Sequence, residues 1–299
     1  MPLFRMLRRA CLLLPLLAPL AKAEPQYGTS PANPGKPLYR LAIHPLHNPA
    51  KLAETYLPLV ALLNRKVANA HFELEASRDY QVYENKLRAR QPELLLPNPW
   101  QTLQAIKVGY QVIAMAGDAA DFKGLLIVRK DSRITRPGDL KGKVVSYPSH
   151  TALAACMMVQ MYLQQHKLNV MSDIENRYVG SQESSLMNVF LGQSSAGATW
   201  PPPWRIFQKD HPQEAAQLQV LLETPPLINN SLMVRDDVPA AVREQVRATV
   251  LSLKDSAEGR AILAKMQGGD FHPANNGTYA VVRDYITRFE REVRPVEQR

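Results

Sequence analysis

The chain has 299 residues, 45% hydrophobic and 21% charged, with a formal net charge of +9 and two cysteines. That length and composition fit one large or two medium globular domains and exclude disordered and fibrous classes. Two cysteines exclude a disulfide scaffold and a thiolate zinc centre.

Residues 1–23 read as a secretory signal peptide. Arg5, Arg8 and Arg9 form a positive start, residues 10–20 form an apolar run broken by prolines, and Ala21-Lys22-Ala23 places small residues at both cleavage-determining positions. The run is shorter than the ~20 apolar residues that a membrane-spanning helix needs, and no later stretch reaches that length. Its removal takes away basic charge and no acidic charge, and leaves Cys156 as the sole cysteine. The remaining Lys and Arg residues are dispersed, with no basic stripe interleaved with aromatics, which together with export argues against nucleic acid as a partner.

Residues 24–37 hold four prolines and two glycines and read as a flexible linker. A strand is predicted at 38–43. A helix follows at 49–66, where Leu52, Tyr56, Leu59 and Leu63 recur at helical spacing. Next come a strand at 72–76, a polar helix at 80–90, a strand at 93–97, a helix at 101–107 and strands at 110–115 and 125–130. The second half repeats the alternation: strand 143–147, a long apolar helix 151–166, strand 176–179, helix 184–191, then strands 197–200, 218–223 and 231–235. Two helices close the chain, one striped by Val242, Val246 and Val250, the other by Tyr279, Val282, Ile286 and Phe289.

Strand and helix alternating twice predicts an α/β protein with mostly parallel sheets. Turn-rich segments at 130–139 and 224–230 are the expected crossings. One lobe, 131–225, is thereby inserted into another, 38–130 plus 226–299, with ligand space between them.

Enzyme signatures are missing: there is no G-x-S-x-G, H-E-x-x-H or G-x-G-x-x-G. The stretch GDLKGKV at 138–144 imitates a phosphate loop but is one residue short, and Val144 stands where a hydroxyl must meet Mg²⁺. Cys156, Met157, Met158 and Met161 fall in a helix apolar all round and read as core rather than soft-metal ligands.

Several short motifs occur in a characteristic order: Asp79-Tyr80, GLLIVRKDS at 124–132, DLKGKV at 139–144, GSQE at 180–183, PLI at 226–228, and AIL at 261–263 leading to Phe271. As a collinear set, spanning about 38–289, they resemble type II periplasmic solute-binding proteins, most closely the phosphonate/phosphite/phosphate-binding branch that serves ABC importers. The resemblance implies two Rossmann-like lobes joined by two crossing strands, a hinge closure, and a ligand at the carboxyl ends of the parallel strands. It also implies a periplasmic, monomeric, non-enzymatic protein that delivers a small anion, phosphonate- or phosphate-like, to an inner-membrane ABC permease, without cofactor or metal. The alternative is a sensory protein of the same fold that signals to a membrane-bound sensor.

The candidate ligand residues follow from this frame. Ser149, His150 and Thr151 lead into the 151–166 helix, whose unpaired N–H groups suit an anion; a plain helix cap is the other reading. In the family, hydroxyl-rich residues and a glycine wrap the phosphonate here, whereas this chain has His150, Thr151, Ala152 and Leu153, and of these Thr151 keeps the pattern. Gln182 replaces the family's histidine. Trp200 and Trp204 bracket three prolines expected to form stiff polyproline II, and Trp100, after Asn98-Pro99, occupies a comparable strand-end loop, so an aromatic-walled cleft is expected. His44 and His47 follow the first strand, on a loop expected to face the cleft, with no third or fourth metal ligand evident. Tyr80 is expected to offer its hydroxyl to the ligand. Asn229 and Asn230 lie at the second crossing.

Overall fold

A computed structural model of the chain describes residues 26–28 and 35–296. The signal peptide read at 1–23 and most of the linker read at 24–37 lie outside them.

Local chemistry sets the helices. Helix α1 (Pro49–Lys66) starts at Asn48, whose side chain accepts the Lys51 N–H at 2.9 Å, with Pro49 in the first turn where its missing N–H costs nothing. It buries Leu52, Tyr56, Leu59 and Leu63, the face its spacing predicts. Asp79 caps α2 (Tyr80–Arg88) through the Val82 N–H at 2.8 Å. Asn98 and Gln101 form a reciprocal capping box on α3 (Pro99–Lys107).

The strands form two sheets. The first runs in the order β1 (Gln26–Gly28), β3 (His71–Glu75), β2 (Leu38–Ile43), β4 (Leu94–Leu96), β11 (Asn230–Arg235), β5 (Tyr110–Ala116), β12 (Phe271–His272). The second runs β10 (Leu218–Glu223), β6 (Leu125–Arg129), β9 (Ala196–Thr199), β7 (Val144–Tyr147), β8 (Glu175–Tyr178). The expected mostly parallel sheets are found only as a parallel trio in each: β3-β2-β4 and β8-β7-β9. The strands that carry the chain between lobes are antiparallel to their neighbours, because each outgoing strand pairs with the one that returns. β5 pairs with β11 in the first sheet and β6 with β10 in the second.

Strand β6, expected in the first lobe, belongs to the second sheet. Between the sheets the two segments remain bonded: Gly124 N–H donates to Thr224 Oγ1, Thr224 N–H to the Gly124 carbonyl, and Leu227 N–H to the Phe122 carbonyl, each at 2.9 Å. Gly124 is there for clearance. A Cβ on it would stand 2.5 Å from the Ala154 carbonyl oxygen and 2.8 Å from a Val159 methyl.

Two further elements differ from expectation. The apolar run at 151–166 opens as a π-helical segment, Leu153–Met158, before continuing as α4 (Val159–Gln165). The Ala152 carbonyl accepts both the Cys156 and the Met157 N–H, at 2.8 and 3.2 Å, which widens the turn. Such turns are rare and recur at functional sites. The prolines 201–203 are not polyproline II. They make the first turn of α6 (Pro201–Asp210), with Trp200 as N-cap. Proline's fixed φ suits a helix, and its missing donor is an orphan in that turn anyway.

The remaining helices are α5 (Gln182–Phe190), α7 (Pro212–Ala215), α8 (Ala240–Leu251), α9 (Ala257–Met266) and α10 (Ala280–Glu292). Helix α10 packs on α3 of the first lobe and α4 of the second. Beyond it Arg294 reaches the second lobe, where its guanidinium donates to Gln160 Oε1 at 2.9 Å and to the His150 carbonyl at 2.8 Å. No helix among the described residues is long and apolar enough to cross a membrane.

Candidate functional site

The lobes meet face to face, and a cavity of about 10 Å³ remains at the centre of their seam. That is room for about one water. His44, Tyr80 and Asn98 line it from the first lobe, Gln182 and Trp200 from the second, with Phe122 and Asn230 at the crossings. Residues 152–155 complete the wall.

Four of the polar side chains have defined roles, while the buried Oδ1 of Asn230 has no partner among the described residues. His44 is buried and its Nδ1–H donates to the Leu96 carbonyl at 2.9 Å, so its Nε2 is left as an acceptor. Burial lowers its pKa to about 4, and the ring is neutral at physiological pH. Gln182 Nε2 donates to the Tyr80 hydroxyl at 3.3 Å, and Gln182 Oε1 accepts from Thr199 Oγ1 at 3.0 Å. Burial raises the Tyr80 pKa, so the phenol stays protonated; having accepted from Gln182, it keeps its own proton to donate. Asn98 spends one amide N–H on the Thr151 carbonyl at 3.2 Å and retains a second.

The helix start adds donors of another kind. The N–H groups of Leu153, Ala154 and Ala155 precede the first intrahelical bond and find no acceptor among the described residues. These residues are buried and all line the cavity. Every side chain in that lining is neutral. The wall therefore presents N–H and O–H donors in excess over acceptors, beside the positive end of a helix.

Thr151 is placed differently from its expected role. Its hydroxyl donates across the seam to Glu84 Oε1 at 2.6 Å and stands 3.0 Å from Ser149 Oγ. Glu84 also accepts from Gln101 Nε2 at 3.1 Å, and Arg88 lies 3.6 Å from its other oxygen. Thr151 and Ser149 thus belong to an interlobe clasp beside the cavity. Glu84 was missed in the sequence, although a signal exists: Tyr80, Tyr83, Glu84 and Leu87 form the buried stripe of α2, with a carboxylate where an apolar residue is due.

The other expected residues lie elsewhere. His47 lines a rim cavity of about 170 Å³ with Lys51, Glu183 and Asp210. Burial, followed by His44 and Lys51, lowers its pKa to about 3. At this rim the lobes are tied by Lys51 to Asp210 at 2.8 Å and Asn48 to Glu183 at 3.1 Å. Trp100 and His150 line a separate, larger cavity on the outer side of the seam. Trp204 stacks on Phe207 in a satellite core, with ring centroids 5.9 Å apart. The expected aromatic wall therefore reduces to Trp200, which packs on Phe122 at 5.5 Å. Among the described residues no three His, Cys, Asp or Glu side chains gather as a metal-holding group.

A family model described as the periplasmic substrate-binding protein of phosphonate ABC transporters matches residues 41–279. No curated protein matches the sequence. Among solved structures, a binding-protein component of a phosphonate ABC transporter from Pseudomonas aeruginosa is similar at 16% identity and a TM-score of 0.78, covering 86% of this chain and 88% of that one. A Prochlorococcus marinus protein in complex with methylphosphonate is similar at 17% identity and a TM-score of 0.76, covering 87% and 98%. The periplasmic aliphatic sulphonate-binding protein of Escherichia coli is more distant, at 15% identity and a TM-score of 0.55, covering 88% and 91%.

Proposed function

The chain belongs to the family of periplasmic substrate-binding proteins of phosphonate ABC transporters, and from that premise we propose that it captures a compact oxyanion, phosphonate- or phosphate-like, in the central cavity between its lobes. The observation that carries this reading is the set of three unpaired N–H groups, of Leu153, Ala154 and Ala155, on a cavity wall that also holds the free donors of Tyr80, Asn98 and Gln182. Preorganised donors in a desolvated site are what an oxyanion requires. The aliphatic sulphonate and methylphosphonate named for the similar structures are of the same chemistry.

A cavity of about 10 Å³ cannot admit such a ligand without movement. The lobes open on the bonded segments 122–124 and 224–227 and close again around the anion. The lobe boundary proposed on this basis lies at residues 123–124 and 224–225. The protein is exported on residues 1–23, acts as a monomer, turns nothing over, and hands its ligand to an ABC permease rather than to a sensor.

The test is calorimetry and thermal shift with methylphosphonate, phosphite, phosphate and sulfate. At least one oxyanion binds and raises the Tm, and Gln182→Ala and Asn98→Ala each weaken it. A panel without binding, or affinities unchanged in both variants, overturns the reading.

A further inference from the structure

Outside the seam bond from Asn98 to Thr151 lies a second cavity, of about 1200 Å³. Both lobes build it. Trp100, Lys107, Arg283 and Ile286 line it from α3 and α10, and His150 and Tyr178 from the second lobe. Nothing in the oxyanion reading uses this space.

Its charge is unbalanced. Lys107 donates to Gln104 Oε1 at 3.1 Å and has no carboxylate partner among the described residues. Arg283 makes no ion pair among them. Arg294 is half-buried, yet its acceptors are neutral: Gln160 Oε1, the carbonyls of His150 and Pro295, and the Cys156 thiol. The carboxylate in the lining, Glu290, accepts the Val296 N–H at 3.3 Å. Three cations without carboxylate partners thus line one cavity, and its one carboxylate, Glu290, stands on the same helix as Arg283.

The rest of the wall mixes apolar side chains, Leu103, Ile106 and Ile174 among them, with the neutral polar Gln104, Asn176 and Thr287. Trp100 forms a buried floor beside Ile286. Tyr178 is 42% exposed although large and hydrophobic, and the His150 ring meets it edge-on at 6.0 Å. Burial, and then the charges of Arg294 and Arg88, hold the His150 pKa below its ordinary value, so a neutral ring faces the cavity. Aromatic and apolar side chains interleaved with a few placed charges suit an organic ligand.

We propose that this outer cavity is a second ligand site, for an amphipathic organic anion: a planar apolar body against Tyr178, His150 and Ile286, with its acidic group met by Lys107, Arg283 and Arg294. The site differs from the central cavity in carrying formal charge and in having room for a ligand without the opening that the central one needs.

The probe is naphthalene-1-sulfonate, titrated by calorimetry into the full mature protein, with naphthalene-1-methanol as the uncharged counterpart. The sulfonate binds, the alcohol binds at least 10-fold more weakly, and Lys107→Gln/Arg283→Gln weakens the sulfonate at least 10-fold. Both substituted residues are exposed, so the fold is kept, and methylphosphonate affinity in the double variant checks this. Saturating methylphosphonate leaves the sulfonate binding in place. No binding of the sulfonate, binding unchanged in the double variant, or displacement by methylphosphonate overturns the proposal.

Discussion

Replacing Thr151 by valine removes one hydroxyl and almost no volume, at a point where the lobes touch. That hydroxyl donates to the Glu84 carboxylate at 2.6 Å, between residues that are 1% and 4% exposed. A hydrogen bond to a charged acceptor contributes about 1.5–3 kcal/mol. Donor and acceptor sit on opposite lobes, so the loss falls on the closed state and not on either lobe alone. It corresponds to a fall of about 10- to 150-fold in the closed-to-open ratio. The Asn98 bond to the Thr151 carbonyl survives, because it uses the backbone. Small-angle scattering reports the larger radius of gyration, and a fluorophore pair with one dye on each lobe reports the populations. Oxyanion affinity falls with the closed fraction. Glu84→Gln, which keeps a neutral acceptor, produces roughly half the effect in energy. Unchanged lobe populations in Thr151→Val, or a larger effect from Glu84→Gln, refute the clasp.

Three other outcomes are expected. His44 and His47 are buried with pKa values lowered to about 4 and about 3; the unfolded chain takes up these protons first, so stability is highest above pH 6.5 and declines as pH falls toward 4, by about 3 kcal/mol for His44 alone. Chemical denaturation at pH 7.5, 6 and 4.5 measures this, and a His44→Asn variant with the same slope counters it. Trp200→Ala empties a site that is 4% exposed and costs about 3–5 kcal/mol; it also widens the central cavity, so that calorimetry finds bulkier phosphonates binding better relative to methylphosphonate, and an unchanged ranking argues against Trp200 as the cavity wall. Gly124→Ala drives a methyl into the Ala154 carbonyl and costs about 1–3 kcal/mol, visible as a lower Tm; a neutral result contradicts the close approach.

Much of this architecture is legible in the chain, because short-range rules govern it. Helix α1 shows its buried face in the spacing of Leu52, Tyr56, Leu59 and Leu63, and the caps at Asn48, Asp79 and Asn98 are written in residue type. The site is legible only in part. His44, Tyr80, Asn98, Gln182 and Trp200 meet because they end strands or begin helices on facing edges of two sheets. Thr151 and Glu84 are 67 residues apart and pair across the seam, which no local pattern encodes. Periodicity could not show the π-helical turn, since every residue from Leu153 to Met158 is buried and no polar face marks the pitch. The prolines at 201–203 carry a φ common to polyproline II and to a first helical turn, and tertiary packing decides between them.

The close fit at Gly124 has a mechanical consequence. The segment proposed as the pivot of the lobes lies against the Ala154 carbonyl and Val159 with no side chain to act as a cushion. Ala154 also belongs to the donor-bearing wall of the cavity. A displacement of that wall is therefore passed to the pivot within one van der Waals contact, with no slack to absorb it. Under the proposed closure, occupancy and lobe angle become one coordinate rather than two, and a permease that senses only the outer shape of the protein would also read whether the cavity is filled.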